Sequence, residues 1–333
     1  MLSTQIQPIK TSQRTVIVDI LRGWAILGVV IGNYTDFSGL GKPVTIAPDK
    51  ISTALGMFEQ YFFAAKSWTL LSILFGYGFA VLMNNVSSKG KNPVLFFCGR
   101  MFWLFVLAFI NSSFFLGDIL KDYAFLGLVL LLFYKSSAKF SFRAGIILLL
   151  IVPFVSAYVA TIPYDYGKQL AKILPIYYSH NWIDIFVMNL KGTYFTEMIS
   201  PFYAISVHII MFGCMLLGFA AQRIDFFNRL PEFKKQLKIT FGVCLVFAIA
   251  SNIGLAAAIS SKAAFLKYFR PGFWAILSTM FAIASGICLL YISGKLKRFF
   301  AGLQAMGKMT LTNYIMQNEN CHTAIFKRWF GHI

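Results

Sequence analysis

Charge is what this chain is shortest of. Asp, Glu, Lys and Arg make up 13% of its 333 residues, against about a quarter in soluble domains. Hydrophobic residues reach 58% and aromatics 17%, which excludes a water-soluble globular fold. Cysteine is sparse too. Cys98, Cys214, Cys244, Cys288 and Cys321 are scattered, mostly inside apolar runs, with no CxxC spacing. That excludes a disulfide framework and a metal site, and leaves small buried hydrophobes. HExxH, GxSxG, Walker and GxGxxG arrangements are all missing, so no soluble-enzyme chemistry is signalled. No Gly/Ser linker, low-complexity tract or soluble appendage interrupts the sequence, which points to one membrane domain over 1–333. The first apolar run is too long, and lacks the small-x-small exit, for a cleavable signal peptide.

What the chain has in plenty is long apolar runs. A hydrocarbon core of about 30 Å needs roughly 20 apolar residues per helix. By that measure about nine spans are expected, near 16–36, 66–84, 94–116, 121–134, 143–162, 199–221, 239–260, 272–293 and 299–317. The fold class is all-α, a polytopic transmembrane helical bundle. Continuous runs argue against a barrel, whose strands alternate apolar and polar residues. Residues 52–65 read as an amphipathic entry to the second span. The long loop 163–198, with Tyr164, Tyr166, Tyr177, Tyr178 and Trp182, suits a membrane interface.

The net charge of +18 would suit nucleic acid, but its distribution does not. Basic residues fall in short clusters between spans, such as Arg229, Lys234, Lys235 and Lys238, or Lys295, Lys297 and Arg298. Positive-inside loops have that look, so the partner is the lipid bilayer and not nucleic acid. With the N-terminus inside, the N-terminal tail and even-numbered loops carry 15 basic residues against 12 elsewhere, favouring a cytoplasmic N-terminus.

Against this background the polar groups inside spans stand out. In "VDILRGWAILGVVIGNY", Asp19, Arg22 and Asn33 share one helical stripe about 60° wide. Such a stripe either lines a functional cavity or locks packing through an i,i+3 ion pair. The third span opens "VLFFCGRMFWLF", which puts Arg100 at a depth similar to Asp19 and Arg22. Asp19 between two arginines would leave a positive surplus suited to a phosphate or carboxylate; otherwise Arg100 snorkels to lipid phosphates. On the opposite side "NSSFFLGDILKDYAFLG" places Asp118 and Asp122 at i,i+4 around Lys121, near the ends bearing Asn33 and Lys66. That turn is either a second polar site or a solvated acidic loop. His208, in "YAISVHIIMFGCMLLG", is the one histidine inside an expected span, a general base, a proton carrier or a packing residue. His180 is a weaker site candidate in the long loop. "FGYGFA" and "GCMLLGFA" supply small residues for close helix approach.

Four stretches together, "VDILRGWAILGVVIGNY", "LSILFGYGFA", "GDILKDYAFLGLVLL" and "GKMTLTNYIMQN", resemble the YeiB-type bacterial membrane proteins, a domain of unknown function (family 418), over about 14–318. The resemblance groups 14–134 as signature helices and 199–318 as C-terminal helices ending in the TNY motif. It implies a bacterial inner-membrane location. By motif it singles out Asp19, Arg22, Gly23 and Asn33, then Gly117, Asp118 and Tyr123, then Gly307, Lys308, Thr312, Asn313 and Tyr314. The opening D-x-x-R-G-x-A is also similar to transmembrane acyltransferases of the heparan glucosaminide acetyltransferase type. No cofactor is evident from the residues; that second likeness alone implies acyl-coenzyme A, with Arg22 and Arg100 on its phosphates. It also implies a histidine near the outer end of the first helices, where this chain has Asn33. From the residues themselves, the catalytic candidates are His208, Asp118 and Asp122. The binding candidates are Asp19, Arg22, Asn33, Arg100, Asn313 and Tyr314. The tail "NENCHTAIFKRWFGHI" turns polar and basic where the family continues apolar, so 319–333 reads as atypical or truncated, and His322 and His332 carry no weight.

Two function classes follow. One is an acyltransferase-like enzyme acting on an envelope glycan or lipid; the other is a carrier for a small anion or lipid.

Overall fold

A computed structural model describes residues 15–38, 50–177 and 181–316. The chain is helical throughout these residues, in the order α1 (Val16–Ser38), α2 (Lys50–Phe62), α3 (Lys66–Ser87), α4 (Pro93–Phe114), α5 (Leu120–Leu130), α6 (Ala138–Val159), α7 (Tyr166–Tyr177), α8 (Trp182–Thr193), α9 (His208–Arg223), α10 (Lys234–Ser260), α11 (Gly272–Ile292) and α12 (Lys297–Lys308). The side on which α1 begins is called the entry side below, and the side on which it ends the exit side. His180, His322, His332 and the tail 319–333 lie outside the described residues.

Helix starts follow local chemistry. Asn92 accepts from the amides of Val94 and Leu95 at 3.0 and 3.2 Å, and Pro93 fills a position that needs no amide. Ser137 caps α6 by accepting from Phe140 N. The α2–α3 turn passes through Ala65 in the left-handed region, at φ 60°, and Lys66 Nζ donates to the Gln60 carbonyl to hold it.

Seven segments are long and apolar enough to cross a bilayer: Val16–Thr35, Lys50–Ser87, Pro93–Phe114, Ala138–Val159, Phe202–Arg223, Leu230–Ser260 and Gly272–Ile292. The expected count of nine is corrected at two places. The segment expected at 121–134 is α5, 11 residues long, followed by a single 3₁₀ turn at Leu131–Phe133. The segment expected at 299–317 is α12, 12 residues long, which breaks at Met309 before helix resumes through residue 316. Both are shorter than the roughly 20 residues a lone span requires. Protein covers much of α5: Leu120, Lys121, Asp122, Tyr123, Ala124, Leu126, Gly127 and Leu130 are buried. A helix walled by protein needs neither full length nor an apolar surface.

Packing runs chiefly through the helix pairs α3–α9, α10–α11, α1–α12 and α6–α9. Glycine sets the closest crossings. A Cβ at Gly23 would overlap the Leu303 carbonyl of α12, and one at Gly307 would overlap the Asp19 carbonyl of α1. The "FGYGFA" and "GCMLLGFA" glycines work alike, Gly76 against the Met215 carbonyl and Gly218 against that of Ile73. By contrast α4 and α10 turn most of their apolar surface outward. In a bundle of these dimensions that surface faces lipid.

Candidate functional site

The entry-side stripe of α1 is built around one ion pair. Arg22 Nη1 lies 3.4 Å from Asp19 Oδ1. Asp19 is buried, and its Oδ2 has no hydrogen-bond partner among the described residues. The guanidinium lies against α3, where a Cβ at Gly78 would come within 3.1 Å of Nη2. Arg100 does not join this pair. It is exposed on α4, with Gly99, Phe102 and Trp103, and makes no ion pair or hydrogen bond among the described residues. The inward face of α4 is Phe97, Met101, Ala108, Asn111 and Ser112, and Arg100 falls on its flank. Asn33, half-buried near the exit end of α1, has no partner for its amide nitrogen among the described residues.

The denser site is on the exit side. The α4–α5 turn passes through Gly117 at φ +99°, a conformation that suits glycine alone, and so drives Asp118 inward to 0% exposure. Asp118 Oδ1 accepts from Asn111 Nδ2 at 2.7 Å and from the Tyr314 hydroxyl at 3.1 Å. That hydroxyl in turn accepts from the Ile119 amide at 3.2 Å. Asp118 Oδ2 has no partner among the described residues. Lys121, one turn on, donates to the Asp118 carbonyl, to Asp122 Oδ2 at 3.2 Å and to Glu197 Oε2. Asp122 Oδ2 also accepts from the Tyr203 hydroxyl at 2.9 Å.

His208 closes the network. Its Nδ1 lies 2.9 Å from the Ala204 carbonyl and its Nε2 lies 2.9 Å from Asp122 Oδ1. A carbonyl only accepts, so Nδ1 carries a hydrogen. Nε2 then either donates to the carboxylate as imidazolium, or receives the hydrogen of a protonated Asp122. One proton lies between them in both cases, and neither ring nitrogen is left open to a substrate.

The charges do not balance when every group is ionised. Three carboxylates (Asp118, Asp122 and Glu197) face one ammonium and one imidazolium, and all but the half-buried His208 are buried. Uncompensated buried charge is costly, so protonation relieves it. Burial pushes the Asp118 carboxyl up to about 6, with Lys121 and Asn111 pulling it back. Burial likewise pushes Glu197 up to about 7 against the pull of Lys121. Both groups therefore hold a proton more tightly than a solvated carboxyl does, as parts of one coupled system. Among the described residues no group of three or more His, Cys, Asp or Glu is set to hold a metal ion.

Glu197, Tyr203 and Asn111 complete the site without having been singled out from the sequence. Glu197 sits in a π-helical turn, Tyr194–Met198, and Tyr203 in a second one, Phe202–Val207. Pro201 lies between them and cannot donate a backbone hydrogen bond. Wide turns of this kind recur at functional sites because they shift a side chain off the regular helical face. A scarce acidic residue four positions before a proline was the one available signal. Of the binding candidates, Tyr314 belongs to this site. Asn313 instead ties the break in its own helix, donating from Nδ2 to the Met306 carbonyl at 3.0 Å.

The four signature stretches meet in space. Gly307 packs on Asp19 and Gly23; Tyr314 holds Asp118; Ser72 of the second stretch is 3.2 Å from the Tyr123 hydroxyl of the third. These features define a polytopic all-α membrane protein with a buried, hydrogen-bonded ionisable cluster near one membrane face. Comparison with known proteins finds a family match over part of the chain and two relatives along most of it. Residues 221–333 match the family described as "Protein of unknown function (DUF418)". The chain is 28% identical to "Uncharacterized protein YxaH" of Bacillus subtilis (strain 168), over 96% of this chain and 83% of that protein. It is 27% identical to "Uncharacterized 39.9 kDa protein in amylase 3'region" of Bacillus acidopullulyticus, over 93% of this chain and 79% of that one. No solved structure matches the chain.

Proposed function

We propose that the chain is a proton-coupled carrier for a small anion, in the bacterial inner membrane with its N-terminus cytoplasmic. The observation that supports this reading is the exit-side cluster, in which Lys121 and His208 pair with Asp122 and Glu197 and the Asp118 carboxylate lies one turn away. With Asp118, Asp122 and Glu197 all ionised, the cluster is one negative charge in surplus and repels an anion. Taking up protons on Asp118 and Glu197 leaves Lys121 and His208 facing Asp122 alone, a positive surplus that attracts one. Protonation thus creates the anion affinity, and binding the anion raises proton affinity by the same factor. Ionisable groups inside membrane bundles commonly mark such relays.

Acyl transfer finds less support in the geometry. His208 offers no open ring nitrogen for a general base, and Arg100 does not join Arg22 to hold coenzyme phosphates.

The test is flux in proteoliposomes that enclose a pH-sensitive dye, challenged with a panel of small carboxylates and phosphates. Anion-dependent proton entry that disappears in the double variant Asp118→Asn/Glu197→Gln, which removes both proton sites, is expected. Entry no faster than in protein-free vesicles, for every anion of the panel, would overturn the proposal.

A further inference from the structure

We propose that a cleft on the entry side binds the headgroup and upper acyl chain of an anionic membrane lipid. The cleft is separate from the carboxylate cluster, and the inference does not rest on the carrier reading.

The cavity measures about 660 Å³, within the range of about 300–1,000 Å³ that small-molecule sites occupy. It opens where several spans end together: the start of α1, the end of α11, the start of α12 and the segment leading to α10. Headgroups lie at that level of a bilayer. Its walls are of two kinds. Val16, Ile20, Phe227 and Phe300 form an apolar side, whereas Lys295 and Lys297 supply positive charge at the mouth. Both lysines are exposed, and neither makes an ion pair among the described residues.

A soluble anion would have no use for the apolar wall, and a neutral lipid none for the two lysines. An amphiphile with a phosphate at one end matches both. Val16 and Ile20 cover about 6 Å along α1, enough for the first few methylenes of an acyl chain. Basic groups beside a membrane surface each strengthen anionic-lipid attraction severalfold, so the two lysines together account for roughly thirtyfold.

The experiment is native mass spectrometry of the full chain in neutral detergent, titrated with phosphatidylglycerol or phosphatidylcholine. One phosphatidylglycerol is expected to be retained in preference to phosphatidylcholine. The double variant Lys295→Gln/Lys297→Gln should bind it roughly thirtyfold more weakly. Ala301→Trp, which fills the cleft from an exposed lining position and leaves every charge in place, should also lose it. Lys89→Gln/Lys91→Gln, two exposed lysines that do not line the cleft, should retain it. Equal loss in both lysine pairs would show general surface attraction and overturn the proposal. Retention in Ala301→Trp would overturn it too. Displacement of the lipid by glycerol 3-phosphate at equal concentration would assign the site to a soluble phosphate and overturn the lipid assignment.

Discussion

Replacing Asp118 by Asn should stabilise this protein, and should do so fully only above about pH 6. The carboxyl is 0% exposed and its Oδ2 has no hydrogen-bond partner among the described residues. An Asn at this position keeps an acceptor for Asn111 and Tyr314 while removing the buried charge. Burial raises the folded-state value from 3.8 to about 6. A folded value above the unfolded one means that stability is fully present below about 4 and is lost as pH rises through about 6. The gap, with the pull of Lys121 and Asn111 already included, amounts to about 3 kcal/mol at pH 8. Thermal unfolding in detergent, followed by intrinsic fluorescence at pH 4, 6 and 8, reads this directly. Wild type should lose several degrees between pH 4 and 8, and the variant should lose less and exceed wild type at pH 8. The same variant should lose anion-dependent proton entry, because one proton site is gone. A variant less stable than wild type at every pH would mean that Asp118 is held ionised by its partners, and the charge argument would fail.

Three further outcomes follow from the packing and the hydrogen bonds. Gly307→Val places a branched side chain on the Asp19 carbonyl, a backbone atom that cannot yield, and should cost at least about 3 kcal/mol; size-exclusion yield of monodisperse protein checks it. Tyr203→Phe removes one of two donors to Asp122 Oδ2 and should cost about 1–2 kcal/mol. Arg100→Gln should change stability by less than about 0.5 kcal/mol and leave flux intact, because the side chain is exposed and unbonded; loss of flux would restore Arg100 to a site.

The sequence was most legible where one helix carried its own evidence. The stripe of Asp19 and Arg22 follows from the 3.6-residue period alone, and the pair forms at 3.4 Å. The Gly76 and Gly218 crossings follow similarly from small residues inside apolar runs. Depth along a helix was readable for Arg100, but rotation was not, since every face of α4 is apolar enough to point inward. Length was misread at α5 and α12, because hydropathy cannot distinguish a helix walled by lipid from one walled by protein. The exit-side cluster was half visible. Asp118, Asp122 and His208 stood out as ionisable groups in apolar surroundings, and the fold brings them into one network. Glu197 escaped because 163–198, expected as a loop, instead folds largely as α7, α8 and a π turn whose wider pitch the 3.6-residue period does not describe. That Tyr314 would hold Asp118, 196 positions earlier in the chain, required the tertiary structure.

Infrared difference spectroscopy between pH 8 and pH 5, on protein in lipid, tests most directly whether the exit-side cluster takes up protons. Two protonated-carboxyl bands should appear on acidification. One should be missing in Asp118→Asn and the other in Glu197→Gln. A spectrum with no such band, or with bands that both single variants leave unchanged, would contradict the account.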